Sequence, residues 1–423
     1  MHGKHKVVDV DRLRPGMFVH ELGLPWWRHG FLRQRFMLDT ADDVDRVRAS
    51  GVRKVVIDTE RGLDPEPLHT PASPSIVAAA MPAIPSTPLP ATPPSVAAGA
   101  VPSDAAPAGV APIGSVSHTT ELRTARRLFR DATRVVRETM LHARAGELVV
   151  SPQLQDLAAA MVESTARNAG ALLSLTTLKT KDDYTFTHCV AVSAFMIALG
   201  RTLGLDEASL RDAGTAGLLH DVGKARVPEA VLNKPASLTP AEYEIIKAHP
   251  RSGYDMLLQA DYADAQALDA VLHHHERLDG RGYPDGQAGA QIGLLARMAA
   301  VADVYDAVSS DRVYHAAMPP SAALKMLLQS AGTHFDETLV RALIRTVGIF
   351  PNGSLVRLAS GRLGVVLEQN AADVRRPRVR VFYSTRSDMH VPPLEVDLAR
   401  GEDRVEQAED PRTWGFELAR YRD

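Results

Sequence analysis

Ala213-Gly214-Thr215-Ala216-Gly217-Leu218-Leu219-His220-Asp221-Val222-Gly223-Lys224 is the stretch on which the fold turns. Ala213, Ala216 and Gly217 lie beneath His220 on one helix, and residues this small let a second helix approach closely, as a site shared between helices requires. Gly223 reads as a left-handed cap that leaves Asp221 and Lys224 at the helix mouth. Outward from here, His and Asp recur: His188, His249, the triplet His273-His274-His275, and Asp303. His188 shares a helical face with Val192, Phe195 and Leu199. Thr239-Pro240-Ala241-Glu242 reads as an N-cap, a proline at the first helical position and a capping-box glutamate. That helix runs to His249, where Pro250 makes continuation costly. Asp303 and Asp306 sit on a mostly apolar helix, where a carboxylate is expensive to bury without a cation or hydrogen bonds. Imidazoles and carboxylates are ligands for divalent Mn, Fe, Zn or Ni, and the absence of paired cysteines speaks against a structural zinc site. Any one of these residues alone reads as an ordinary core or surface side chain. Five such points on one helical region read as a metal centre.

The chain has 423 residues, 45% of them hydrophobic and 23% charged, which is more than one ordinary domain. Its 48 Lys+Arg against 51 Asp+Glu leave a net charge of −3, excluding the basic footprint of a DNA or RNA binder. The lone Cys189 cannot form an intrachain disulfide and fits a reducing, cytoplasmic setting. The first residues carry no apolar stretch and no window holds 18 uninterrupted apolar residues, so neither a secretory signal nor a membrane span is expected.

Thirteen of the 28 prolines fall between Pro65 and Pro112, so residues 64–118 are expected to form an extended, disordered linker. Before it, residues 1–63 carry strand-like runs at Met17–Val19 and Val55–Ile57 around a helix from Ala41 to Ser50, a small α/β or β-rich unit. From 119 to 350 the pattern is helical. Leu122, Ala125, Phe129, Ala132, Val136 and Met140 form one apolar stripe, open to packing on the same domain or to a homodimer. After Pro351 the period becomes two: Val356 and Leu358, a Gly361–Gly364 turn, Val365 and Leu367, then Val379, Val381 and Tyr383. Residues 351–423 are therefore expected to be a small β module.

His220-Asp221-Val222-Gly223-Lys224 resembles the HD signature of the metal-dependent HD phosphohydrolases. His274-His275-Glu276-Arg277-Leu278-Asp279-Gly280-Arg281-Gly282-Tyr283-Pro284 resembles the defining motif of the HD-GYP subfamily. Supporting matches are Asp182–Thr185, Lys234-Pro235, Asp303–Ala307 with Asp311-Arg312, and Gly332–Asp336, so the likeness spans about residues 170–345. Leu13–Val19 is similar to the uncharacterised domain that often precedes HD-GYP domains in bacteria. The resemblance implies a multidomain chain, mainly an all-α HD-type catalytic domain with a small N-terminal α/β or β-rich domain and a small C-terminal β module. It implies a cytoplasmic phosphodiesterase that opens cyclic di-GMP, either to pGpG or as far as GMP, with a hydroxide held between metals. Two divalent ions are implied, Fe or Mn before Zn or Ni, with His188, His220, Asp221, His249, His274, His275 and Asp303 as ligands and Asp221 as the bridge. Lys224 would stabilise or protonate the leaving oxygen. Gly282, Tyr283, Pro284, Asp306, Arg312 and His315 would face substrate.

Two departures bear on function. His315 stands where the family has a second basic residue, which predicts weaker or pH-sensitive substrate binding. Tyr184 stands where some relatives hold a glutamate for a third metal, which favours two, although Asp182 and Asp183 lie next to it. Two other readings are a weakly active cyclic di-GMP receptor or docking module for other signalling proteins, and an HD hydrolase of another cyclic dinucleotide.

Overall fold

The structure, a computed structural model, describes residues 5–21, 36–49, 52, 54–63, 116–176, 184–234, 236, 238–310, 317–370 and 373–421. Most of the expected linker, residues 64–115, lies outside the described residues, as do Asp182, Asp183, Arg312 and His315. The chain forms two compact units, 1–111 and 112–423.

The first unit is an antiparallel sheet in the order β1-β4-β2-β3, from strands β1 (His5–Asp9), β2 (Phe18–Glu21), β3 (Phe36–Met37) and β4 (Lys54–Asp58), with helix α1 at Ala41–Ala49. Alternation sends Val8, Val19, Val55 and Ile57 to one face, where Met17, Leu38, Val44 and Val47 complete a core. The sequence pattern marks β2, α1 and β4. It does not mark β1, which has one fully buried side chain, or β3, which has two residues.

The second unit begins with α2 (His118–Ala145), α3 (Pro152–Leu175), α4 (Tyr184–Leu203) and α5 (Glu207–Leu219). Ala125, Phe129, Ala132, Val136 and Met140 of α2 are buried, with α3 and α4 packed on that helix. The stripe is covered within its own domain, which removes it as a homodimer face. The ends of α2 and α3 are tied by Glu121, 3% exposed, whose carboxylate accepts from Ser164 Oγ (2.7 Å), Arg167 Nε (2.9 Å) and Arg167 Nη2 (3.0 Å). At Asn168 α3 breaks (φ −162, ψ 99), and the Asn168 amide replaces lost ladder bonds by donating to Val116 O and accepting from Ala171 N.

At the centre runs α4, with α2, α3, α5 and the later helices α10 (Leu294–Ser309) and α12 (Glu337–Val347) around it. Among the described residues it alone is long and apolar enough to cross a membrane by length and composition, and 78% of its most apolar window is buried inside the protein. Its contact with α5 is close because Gly217 has no side chain: a Cβ there would sit 2.5 Å from Ser193 Cα. The small residues ahead of His220 thus do what their size suggests. The remaining helices are α6 (Glu229–Leu232), α7 (Pro240–Lys247), α8 (His249–Gln259), α9 (Ala265–His273) and α11 (Pro320–Gln329). The capping box of Thr239 and Glu242 opens α7.

The chain ends in an antiparallel sheet, ordered β8-β7-β6-β5-β9, from β5 (Leu355–Leu358), β6 (Arg362–Glu368), β7 (Arg378–Ser384), β8 (Met389–Asp397) and β9 (Val405–Glu409), followed by the short α13 (Pro411–Trp414). The expected turn at Gly361–Gly364 is tighter than its sequence suggests, since Arg362, Leu363 and Gly364 already pair in β6. β8 escapes a pattern reading because Pro392 and Pro393 interrupt it; it lies at the sheet edge, where a missing donor costs no ladder bond.

Candidate metal centre

Five helix ends and turns converge on one point. The second turn of α4 brings His188, and the C-terminus of α5 brings His220 and Asp221. The α7–α8 junction brings His249, the C-terminus of α9 brings His274 and His275, and α10 brings Asp303 and Asp306. His249 lies between two helices rather than simply ending one, because Pro250 occupies the first turn of α8. Gly223 departs from the sequence expectation. It is not left-handed but lies in a 3-10 turn, Val222–Arg226, where an added Cβ would meet the His249 carbonyl oxygen at 1.9 Å. The missing side chain is what allows His249 to come up beside Asp221.

The donor atoms gather in two triads, His188/His220/Asp303 and His249/His274/His275, within each of which they lie inside 4.8 Å of one another. Asp221 stands between them. Its Oδ1 is 3.2 Å from His249 Nε2, while its Oδ2 is 3.5 Å from His220 Nε2 and 3.8 Å from His188 Nε2. His188, His220, Asp221, His249 and His274 are each 2% exposed or less, and Asp303 8%.

Backbone geometry sets the ring tautomers. Nδ1 of His220, His249 and His274 each lies 2.7–2.9 Å from the carbonyl three residues earlier, on Gly217, Ile246 and Val271. A ring that donates Nδ1–H to a carbonyl turns a bare Nε2 lone pair into the site. His249 Nε2 and His274 Nε2 then face each other at 3.2 Å, acceptor against acceptor. His220 Nε2 and Asp221 Oδ1 are buried with no hydrogen-bond partner. Buried acceptors aimed at one another are costly unless a cation lies between them, so these residues fit a bound metal.

Titration behaviour agrees. Burial pushes His274 well below its ordinary value, His220 below it, and His275 down to about 3, so these rings stay neutral, the form a metal ligand needs. Burial would raise the Asp221 carboxyl, but Lys224 and the His220 and His249 rings outweigh it and hold the group well below the carboxylate range. Asp303 is likewise held ionised against burial by His188. Burial lowers His188, yet hydrogen bonds with Asp303 and Asp306 more than offset it and raise the ring. A position of that kind calls for a positive charge.

Asp306, expected to face substrate, contacts His188. It is 1% exposed behind His188, with Oδ2 2.6 Å from Nδ1, where it orients the ring. The bare Cα of Gly282 approaches the Glu276–Arg277 backbone, where a Cβ would be 2.4 Å from Glu276 Cα, so the loop packs closely there. Tyr283 stacks on His275 at 4.7 Å, and the Tyr283–Pro284 peptide is cis. Lys224 Nζ donates to Asp221 Oδ2 from the partly open side of the centre.

Some residues of the site escape sequence reading. His273, beside the motif, is 6% exposed between Asp269 Oδ1 (2.7 Å) and Asp285 Oδ2 (3.1 Å). Glu276 Oε1 accepts from the Asp285 and Gly286 amides at 2.7 and 2.9 Å. Leu278 and Asp279 donate to the His334 and Thr333 carbonyls. Together these contacts pin the loop 276–286 under the centre. Asp269, four residues before His273 on one helix, was a visible signal; Asp285 was not.

An all-α domain whose helix ends pool buried imidazoles and carboxylates around one His-Asp pair is an HD domain, and the HD domain family matches residues 149–339. A domain of unknown function, DUF3391, matches residues 5–151. The chain is 43% identical over 415 residues to the cyclic di-GMP phosphodiesterase PA4108 of Pseudomonas aeruginosa, covering 97% of this chain and 94% of that protein. It is 41% identical to the cyclic di-GMP phosphodiesterase response regulator RpfG of Xanthomonas campestris over 45% of this chain and 51% of that one. It is 35% identical to a 3'3'-cGAMP-specific phosphodiesterase of Vibrio cholerae over 41% of this chain and 37% of that one. The chain belongs to the HD-GYP family of metal-dependent HD-domain phosphohydrolases.

Proposed function

We propose that this protein is a cytoplasmic phosphodiesterase that hydrolyses cyclic di-GMP, either to pGpG or as far as GMP. Two divalent cations, Fe or Mn before Zn or Ni, would be held by His188, His220, His249, His274, His275 and Asp303, with Asp221 shared between them. The observation that carries this reading is the placement of the two Asp221 oxygens, one towards each buried triad. Similarity to PA4108 along nearly the whole chain supports the choice of substrate. Bound there, the cations supply the charge that acidifies a water and neutralises phosphate oxygens.

The protein's own residues do the rest. Backbone carbonyls and Asp306 hold the ring tautomers and spare the centre reorganisation as charge develops. Lys224 leaves Asp221 for the phosphate as substrate arrives and gives its charge or a proton to the departing 3′ oxygen. Tyr283, fixed over His275, offers a ring and hydroxyl to the guanine or phosphate. A role for Arg312 and His315 at the second phosphate rests on the sequence resemblance alone.

The test is to load purified protein anaerobically with Mn or Fe, supply cyclic di-GMP, 3'3'-cGAMP and cyclic di-AMP in parallel, and resolve the products by chromatography. Faster production of pGpG than of any other linear product is expected. Full metal occupancy with cyclic di-GMP bound and no product would leave a receptor, and preference for another cyclic dinucleotide would move the substrate.

A further inference from the structure

The N-terminal sheet carries a second gathering of metal-ligating side chains that the proposed catalysis does not use. His5 on β1 is the direct cross-strand partner of Asp58 on β4. His20 lies on β2, the other neighbour of β4, at a register shift: Val19 pairs with Ile57 and Glu21 with Val56, so β2 has one extra residue, His20, opposite β4. A bulge of this sort re-aims the side chain it inserts. The His5 and His20 rings come to 3.8 Å between centroids at 36°, and His5 Nε2 lies 3.9 Å from Asp58 Oδ2. One donor atom from each of the three residues falls within 4.8 Å of the others.

Of the three, Asp58 is the anchored member. It is 8% exposed and ends β4 in a turn closed by Gly62 N donating to its carbonyl, while its Oδ1 accepts from Glu60 N at 3.0 Å. That leaves Oδ2 turned towards His5. The site is part-open, because the His5 side chain is 45% exposed. Donor atoms around one transition ion lie about 3 Å apart, given bonds of roughly 2.0–2.2 Å. A rotation of the exposed His5 ring closes most of the difference. Two imidazoles with one carboxylate, and room for water, suit a divalent transition metal; Mg and Ca prefer all-oxygen sets.

The geometry points to a second metal site: His5, His20 and Asp58 bind one divalent transition metal ion on the N-terminal domain, separately from the ions of the helical domain. The amino-terminal region contains another potential chelator, His2, so the test must separate the two.

Full-length protein is dialysed to equilibrium against micromolar Zn or Ni, and metal per chain is counted by elemental analysis beside calorimetric titration. Wild type is compared with His5→Asn, His20→Ala, Asp58→Asn and His2→Ala. Each of the first three variants is expected to hold one ion fewer, or to bind that ion at least tenfold more weakly, with phosphodiesterase activity unchanged. His2→Ala should keep the ion. His5→Asn alters an exposed side chain at a strand start and cannot unfold the sheet, so it stays informative if Asp58→Asn is unstable. Equal stoichiometry and affinity in wild type and His5→Asn would overturn the proposal, as would loss of the ion in His2→Ala alone.

Discussion

Two groups of imidazoles and carboxylates in this chain have similar composition and different surroundings. In the helical domain four of the candidate ligand rings are buried, and a carbonyl or carboxylate behind each of them sets which nitrogen faces inward. In the N-terminal sheet one ring is half-exposed, and the anchored member is the carboxylate, held by its own turn. The comparison separates preorganisation from opportunity. Buried, pre-oriented acceptors store unfavourable contacts that a cation relieves, which favours tight binding and leaves little to rearrange when charge develops. A part-open trio on strands gains less per ion and exchanges it more readily.

The sharpest way to break this contrast is at Asp221. Asp221→Ala should remove the group shared by both triads, so the metals of the helical domain and the activity fall together, by more than about 100-fold in turnover. The N-terminal ion should survive. A variant that kept both catalytic ions and full turnover would end the bridging assignment.

Lys224→Met is expected to lower kcat by about 10²–10³-fold with metal content unchanged, since it removes a charge and a proton donor but no ligand. Asp306→Asn should weaken metal binding by about 10–100-fold through His188 alone. If Asp306 instead touched substrate, KM would rise and metal affinity would hold.

The smallest effect concerns the scaffold. Glu121→Gln takes away the carboxylate that Arg167 hydrogen-bonds, leaving it only the more distant Glu163 at 3.7 Å, and should destabilise the helical domain by about 1–3 kcal/mol, read as a lower midpoint in denaturant. Burial raises the Glu121 carboxyl, but hydrogen bonds from Arg167 and Ser164 outweigh it and leave it below its ordinary value. A depressed carboxylate contributes fully above its unfolded value near 4.5 and loses that contribution as pH falls through the folded value. The gap between wild type and variant should therefore be constant from pH 6 to 8 and shrink below about 4.5. A gap independent of pH down to 3 would mean that shape, not charge, holds α2 to α3.

Much of this was legible beforehand because it is local. Helical period, the capping box at Thr239, small residues ahead of His220 and the switch to period two after Pro351 each depend on neighbours a few residues apart. The His and Asp positions were legible because polar groups on apolar helices need a reason. Other features were invisible because their cause lies far away in the chain: Gly223 answers to the His249 carbonyl and Asp306 to His188, 118 residues earlier. His20 drew no notice because its partners sit on two other strands.

By itself, then, the sequence determined the helices, the clearly alternating strands and the side chains of the helical domain that could ligate, since these follow from short-range sterics and the cost of burying charge. Only the tertiary structure decided which nitrogen of each ring faces the centre, which carboxylate sits between triads and which stands behind a ring. Those outcomes depend on atoms brought within 3–4 Å by helix packing, and no spacing along the chain encodes a distance across it.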